Sequence, residues 1–167
     1  MDQHNQIHND IKPQNFLVKN DLTSIEIVLT DFGLAGSDQK GGTPIFASPE
    51  CMSNSDRKDK STDIFSLGRV FLFTIIPNET FLQFLFVSLI KGGKNKILKL
   101  IEKEPILHLI SKMMRIQNRI DLQTIRKDLQ SAVQIRNTGI INEINEIIRN
   151  SSSECTNNYI EVLKHFS

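Results

Sequence analysis

The sequence predicts an α+β fold, with a small β-hairpin near its start and a helical majority behind it. Two short β-branched or apolar runs, 16–18 and 25–29, flank Asn20 and Asp21, and read as a hairpin with a polar loop. A helix-length apolar stretch follows, from about Asp63 to Ile76. Amphipathic stretches then recur at about 80–91, 95–103, 106–115 and 122–134, with the spacing of helices that bury one face.

Each element has its local chemistry. Between Leu34 and Pro49 there is no sustained periodicity, and Gly36, Gly41, Gly42, Pro44 and Pro49 make this segment a loop. Ser61-Thr62-Asp63 offers an N-cap region for the apolar helix. That helix is apolar on nearly every face, so it is expected at the centre of a bundle. Pro77-Asn78-Glu79-Thr80 breaks it. The tail from Gly139 is expected to hold a helix at about 140–149, a Ser-rich linker at 151–153 and a short final helix.

Composition excludes several functions. Of 167 residues, 39% are apolar and 23% charged, and the formal net charge is +1. A balance this even gives no electrostatic reason to bind nucleic acid or an acidic membrane. Lys91, Lys94, Lys96, Lys99 and Lys103 read as a solvated face rather than a docking site. Cys51 and Cys155 are far apart, and two free thiols in a reducing compartment are expected. No basic and apolar leader opens the chain, so no secretory signal is expected. In the most apolar stretch, Ile64–Ile90, the longest clean run is Phe81–Ile90, about half a bilayer span. It reads as buried helix, with no membrane segment. A cytoplasmic location is expected, as an intracellular protein or as the cytosolic part of a larger one.

The chemistry begins at His8-Asn9-Asp10-Ile11-Lys12-Pro13-Gln14-Asn15. One loop delivers a carboxylate, an ammonium and an amide, and a strand follows at once. Asp10 can orient or deprotonate a hydroxyl, Lys12 can neutralise charge on a transferring phosphoryl group, and Asn15 can reach a metal ion. Asp31-Phe32-Gly33 ends the second strand. A carboxylate beside a glycine that lets the backbone turn suits Mg²⁺. The hairpin is expected to return Asp31 close to Asp10 and Asn15. Three further elements follow in order: Gly42 through Glu50, then Asp63-Ile64-Phe65-Ser66-Leu67-Gly68, then Arg119.

These five elements, in this order and spacing, resemble the protein kinase superfamily. The resemblance covers roughly residues 1–134. His8, Asp10, Lys12 and Asn15 match H-R-D-x-K-x-x-N, and Asp31-Phe32-Gly33 matches the magnesium motif. Ser48-Pro49-Glu50 resembles A-P-E, and the twenty residues from Asp31 to Glu50 make a short activation segment. Asp63 and Gly68 match the central helix. Arg119 matches the late arginine that pairs with the A-P-E glutamate, here Glu50. Lys12 and Thr43 resemble the serine/threonine branch, where that threonine bonds the catalytic Asp and Lys. A closer likeness, to the unfolded-protein-response sensor kinase/endoribonuclease family, is carried by residues 62–68, 71–73 and 109–114. Some 33 residues follow Gln134, too few for that family's helical nuclease domain.

The resemblance implies a kinase-like C-terminal lobe at 1–134 and a helical tail at 135–167. It implies ATP:protein phosphotransfer to Ser/Thr with ATP and Mg²⁺ as cofactors and a protein substrate as partner. Asp10 would be the base and Lys12 the charge stabiliser. Asn15 and Asp31 would hold Mg²⁺, and Leu17 would lie under adenine. His8 and Phe32 would stack in a hydrophobic spine, and Gly33 would permit the turn beside them. Thr43 would shape the acceptor site. Glu50–Arg119 would be a structural ion pair, and Asp63 would belong to the central helix. Two departures stand out. Asn9 replaces the arginine that usually receives an activation-loop phosphate, and a neutral amide cannot clamp phosphate as a guanidinium does. No glycine-rich phosphate loop or strand lysine precedes the catalytic loop, and only seven residues precede His8. The chain is therefore expected to be a partial catalytic domain. The alternative is a pseudokinase-like interaction module or an inert fragment.

Overall fold

In a computed structural model, the structure describes residues 6–21, 23–36, 42–52, 59–76, 81–85, 97, 99–132 and 142–150. The chain divides into two compact units, residues 1–71 with 110–126, and residues 72–109 with 127–167.

In the first unit a single 3₁₀ turn, Pro13–Asn15, leads into strands β1 (Phe16–Asn20) and β2 (Ile25–Leu29). The strands pair antiparallel, with Phe16 opposite Leu29 and Lys19 opposite Glu26. β1 runs two residues past the apolar stretch that announces it. Lys19 faces the Glu26 carboxylate 3.5 Å away, so a polar pair replaces the apolar signal. The loop is closed by Asp21, whose Oδ1 accepts the N–H groups of Thr23 and Ser24, each at 2.8 Å. These bonds draw the Asp21 carboxyl down to about 2.

Helix α1 is one turn, Pro49–Met52, at the end of the segment read as loop. Helix α2 spans Lys60–Ile75 and begins three residues before the expected Asp63. Its start is set by Asp59, whose Oδ1 accepts the Ser61 N–H at 2.7 Å and whose carbonyl accepts from Thr62. Asp63 thus sits inside the first turn, free to serve another segment. Thr62 through Ser66, Gly68 and Val70 are buried. A Cβ on Gly68 would lie 3.0 Å from the Met113 Cβ, so the glycine lets two backbones approach. Helix α3 is Pro105–Met113, and α4 is Leu122–Ala132. Asp121 caps α4 by accepting the Thr124 N–H at 2.7 Å. Ile11, Phe46, Phe65, Ile110, Met113 and Ile125 form much of this unit's core.

In the second unit Phe81, Ile76, Leu109 and Ile144 are almost wholly buried, and Phe73 meets Phe81 edge to face at 5.1 Å. Residues 81–85, 99–103 and 142–150 are helical. The remainder of the stretches expected at 80–91 and 95–103, the linker at 151–153 and the final helix lie outside the described residues. No helix among the described residues is long and apolar enough to cross a membrane.

Candidate active site

Every described residue of the candidate site belongs to the first unit. Its base is the Asp63 carboxylate. Oδ2 accepts the His8 N–H at 2.7 Å and Oδ1 accepts the Asn9 N–H at 3.0 Å. Burial pushes the Asp63 carboxyl above its ordinary value, and these two donors work against that rise. One helical carboxylate therefore fixes two successive amides of the loop, 54 and 55 residues away.

That grip forces Asn9 into the left-handed region, at φ 66°, which asparagine tolerates better than most residues. The Asn9 Nδ2 then donates to the Leu34 carbonyl at 3.1 Å. His8 is 1% exposed. Its Nδ1 accepts the Asp10 N–H at 3.3 Å, which leaves Nε2 to donate to the Thr30 carbonyl at 3.0 Å. The His8 ring also lies 4.8 Å from the Phe32 ring. One imidazole thus joins the loop to the chain that leaves β2.

Asp10 accepts on both of its oxygens. Oδ2 meets the Lys12 ammonium at 2.6 Å, and Oδ1 accepts the Thr43 N–H at 2.9 Å and its hydroxyl at 3.1 Å. Burial favours the protonated acid, yet Lys12 and Thr43 outweigh it and hold the carboxyl below its ordinary value. Asp10 is ionised at neutral pH, and an ionised, nearly buried carboxylate can orient a hydroxyl by accepting its hydrogen bond.

Asn15 closes the loop. Its Nδ2 donates to the Asp10 carbonyl at 2.8 Å. Its own carbonyl accepts the Thr30 N–H at 2.8 Å and the Thr30 hydroxyl at 3.1 Å. Thr30 is the residue before Asp31, so these bonds bring the two ends of the hairpin together. Asp31 has φ 61° and is exposed, and its Oδ1 lies 3.4 Å from the Gly33 N–H. With the Asn15 amide nitrogen engaged, its amide oxygen is the side-chain atom left to meet a cation. An amide oxygen and a carboxylate are donor types that suit Mg²⁺, which takes few protein ligands and completes its shell with water and phosphate oxygens. Among the described residues no group of three or more His, Cys, Asp or Glu could hold a metal by itself.

The segment that follows is tied at several points. Gly36 donates to the Ile7 carbonyl at 3.0 Å. Gly42 has φ 104°, and a Cβ there would stand 2.8 Å from the Asn9 carbonyl oxygen. The Thr43 carbonyl accepts from Phe46 and Ala47. Glu50 then makes a two-point ion pair with Arg119, whose side chain is 2% exposed, against 18% for Glu50. Arg119 also donates to the Ser61 carbonyl at 3.0 Å and stands 5.0 Å over the Phe65 ring. Burial raises the Glu50 carboxyl, but the Arg119 guanidinium overrides it and the net shift is downward.

Leu17 and Phe32 are 54% and 51% exposed. Sequence reasoning missed the Asp63 acceptor role, the Asn9–Leu34 bond and the two guanidiniums of Arg69 and Arg119 on Phe65. The nearest signals were Asn at a position needing φ above zero and an arginine inside an apolar helix.

A family model described as "Protein kinase domain" matches residues 1–157. A probable serine/threonine-protein kinase of Dictyostelium discoideum is 38% identical over 77 residues, 41% of this chain and 12% of that protein. Serine/threonine-protein kinase ATG1b of Arabidopsis thaliana is 34% identical over 83 residues, 46% of this chain and 11% of that protein. Receptor-interacting serine/threonine-protein kinase 3 of Rattus norvegicus is 31% identical over 99 residues, 52% of this chain and 20% of that protein. The chain thus spans a fifth or less of the length of these three relatives.

Proposed function

This chain belongs to the protein kinase family, in its serine/threonine branch, and from that premise we propose that it is the C-terminal lobe of a serine/threonine kinase catalytic domain. It would take part in moving the γ-phosphoryl group of ATP to Ser or Thr hydroxyls of proteins. The carrying observation is Asp10, nearly buried yet held ionised by Lys12 and Thr43.

Asp10 is positioned to accept the hydroxyl proton and orient its oxygen. Lys12, 2.6 Å from Asp10, offers positive charge where phosphoryl oxygens gather. Asn15 and Asp31 would hold Mg²⁺, whose chemistry is to neutralise phosphate charge. Leu17 offers an apolar surface for the adenine ring. The exposed Leu17, Val18, Ile25, Ile27 and Phe32 favour the rival reading, an interaction module, because exposed apolar patches mark docking faces.

The purified 167-residue chain with Mg-ATP and a generic Ser/Thr substrate provides the test. ATP should bind weakly, at about millimolar affinity, because one wall of a cleft leaves most of the ligand in water. Binding should need Mg²⁺, shift the NMR signals of Leu17 and Asp31, and vanish in Asp31→Asn. Phosphotransfer by this chain alone should not exceed that of Asp10→Asn. If Mg-ATP leaves those signals unmoved, the nucleotide reading fails and the interaction module stands.

A further inference from the structure

Inside α2 lies a cation that phosphotransfer as described does not use. The Arg69 Nη1 donates to the Ile45 carbonyl, and this is its only nitrogen with an acceptor among the described residues. Its Nε is buried and unbonded. The guanidinium carbon stands 5.0 Å from the Phe65 ring centre, and that of Arg119 stands at the same distance from the same ring. Two guanidiniums thus share one ring, while the nearby carboxylate, Glu50, gives an oxygen to each of two Arg119 nitrogens. No carboxylate among the described residues pairs with Arg69. Burial lowers its pKa.

A partly buried cation whose partners among the described residues are one carbonyl and one ring face is costly, and the cost falls when an anion arrives. Its address says which anion. Ile45 lies two residues from Thr43, and Thr43 holds the Asp10 carboxylate. A peptide that brings a hydroxyl to Asp10 therefore carries its neighbouring side chains past the Thr43–Ala47 turn, to which Arg69 is fastened. We propose that Arg69 is a specificity-determining residue that receives the carboxylate of an Asp or Glu close to the acceptor in the peptide substrate. The inference rests on the kinase reading and deepens it by naming acidic peptides as the substrate class. Guanidinium and carboxylate form two parallel bonds, which lysine cannot reproduce.

The full chain is titrated with a Ser-containing peptide bearing Glu beside the acceptor, with the same peptide bearing Gln, and with free acetate, while the arginine Nε–Hε signals are followed by NMR. The Glu peptide should bind about tenfold tighter than the Gln peptide, as a charge-assisted contact warrants. It should shift the Arg69 signal, and acetate should do so only weakly. Arg69→Met should abolish the Glu/Gln difference, and Arg69→Lys should keep part of it. Equal binding of the two peptides by the parent chain overturns the proposal without any variant. So does a difference that survives Arg69→Met, or a shift at another arginine alone. Replacing the acceptor Ser by Ala should leave the Glu/Gln difference intact. A failure of phosphotransfer is thereby told apart from a failure of this anion site.

Discussion

Residues 8–15 and residues 16–29 adjoin in the chain and are held in opposite ways. In the loop at 8–15, His8, Asp10 and Asn15 are 1%, 9% and 5% exposed, and their polar groups find partners on α2, on Thr30, on Thr43 and within the loop. In the hairpin, the apolar residues Leu17, Val18, Ile25 and Ile27 are 54% to 69% exposed. The register places Leu17 opposite Val28 and Val18 opposite Ile27, so apolar side chains stand on both faces. A two-stranded hairpin is marginal by itself, and this one is moored by Thr30 to the Asn15 carbonyl. A network of long-range hydrogen bonds thus fixes a polar loop using this chain alone. The hairpin instead has the composition of a surface that another surface covers.

If buried polar contacts hold the first region and the segment at 42–50 tied to it, removing one should cost far more than any polar change on the hairpin. The largest effect is expected at Arg119→Ala. Glu50 would lose its partner, and the cost should be about 3–5 kcal/mol, toward the lower figure because 18% of the Glu50 side chain still meets water. The Glu50 carboxyl binds its proton more weakly folded than unfolded. Its contribution is therefore complete above the ordinary value of 4.5 and is lost as pH falls through the lower folded value. Urea melts of parent and variant should differ most near neutral pH and converge below about pH 4.5. Equal midpoints at pH 7 would mean that the ion pair contributes nothing.

A smaller effect is expected where the segment touches the loop. At Gly42, φ is 104° and a Cβ would meet the Asn9 carbonyl oxygen at 2.8 Å. That neighbour is backbone and cannot swing aside. Gly42→Ala should cost about 1–3 kcal/mol, and hydrogen exchange at the Thr43 N–H should quicken. Gly36→Ala is the control, since a Cβ there meets nothing within 4 Å although its φ is 68°. Strain without a clash should leave the Thr43 N–H protected.

The particular residues show what the sequence could announce. Asp10, Lys12, Asn15 and Asp31 stand out in the sequence by side-chain chemistry and spacing, and His8, Thr43, Glu50 and Arg119 by their likeness to kinase motifs. The Asp10 contacts with Lys12 and Thr43 and the Glu50–Arg119 pair join residues so singled out. The hairpin was legible from its β-branched runs, short of Lys19 and Asn20, where pairing rather than hydrophobicity extends the strand. The start of α2 was misplaced because Ser61, Thr62 and Asp63 all suit a cap, and only the fold shows that Asp63 is spent on His8 and Asn9, so that Asp59 caps instead. Arg69 stands inside an apolar run with no motif around it. Its bond to Ile45 spans 24 residues of separation, and no local pattern encodes such a contact.

The smallest effect is expected at Lys19, on the hairpin. Its ammonium lies 3.5 Å from Glu26, and the two side chains are 69% and 64% exposed. At this exposure the Coulomb gain is small, salt screens it, and ordering two long side chains offsets much of what remains. Lys19→Ala should change stability by about 0–0.5 kcal/mol. Raising salt to about 1 M, where the screening length is near 3 Å, should erase even that. A loss of about 2 kcal/mol or more, well above the range for exposed pairs, would show that a polar cross-strand contact fixes the hairpin. The contrast between a loop held by buried hydrogen bonds and a hairpin awaiting an apolar cover would then be wrong. A negligible loss leaves Leu17, Val18, Ile25 and Ile27 as the residues whose burial decides whether the hairpin is stable.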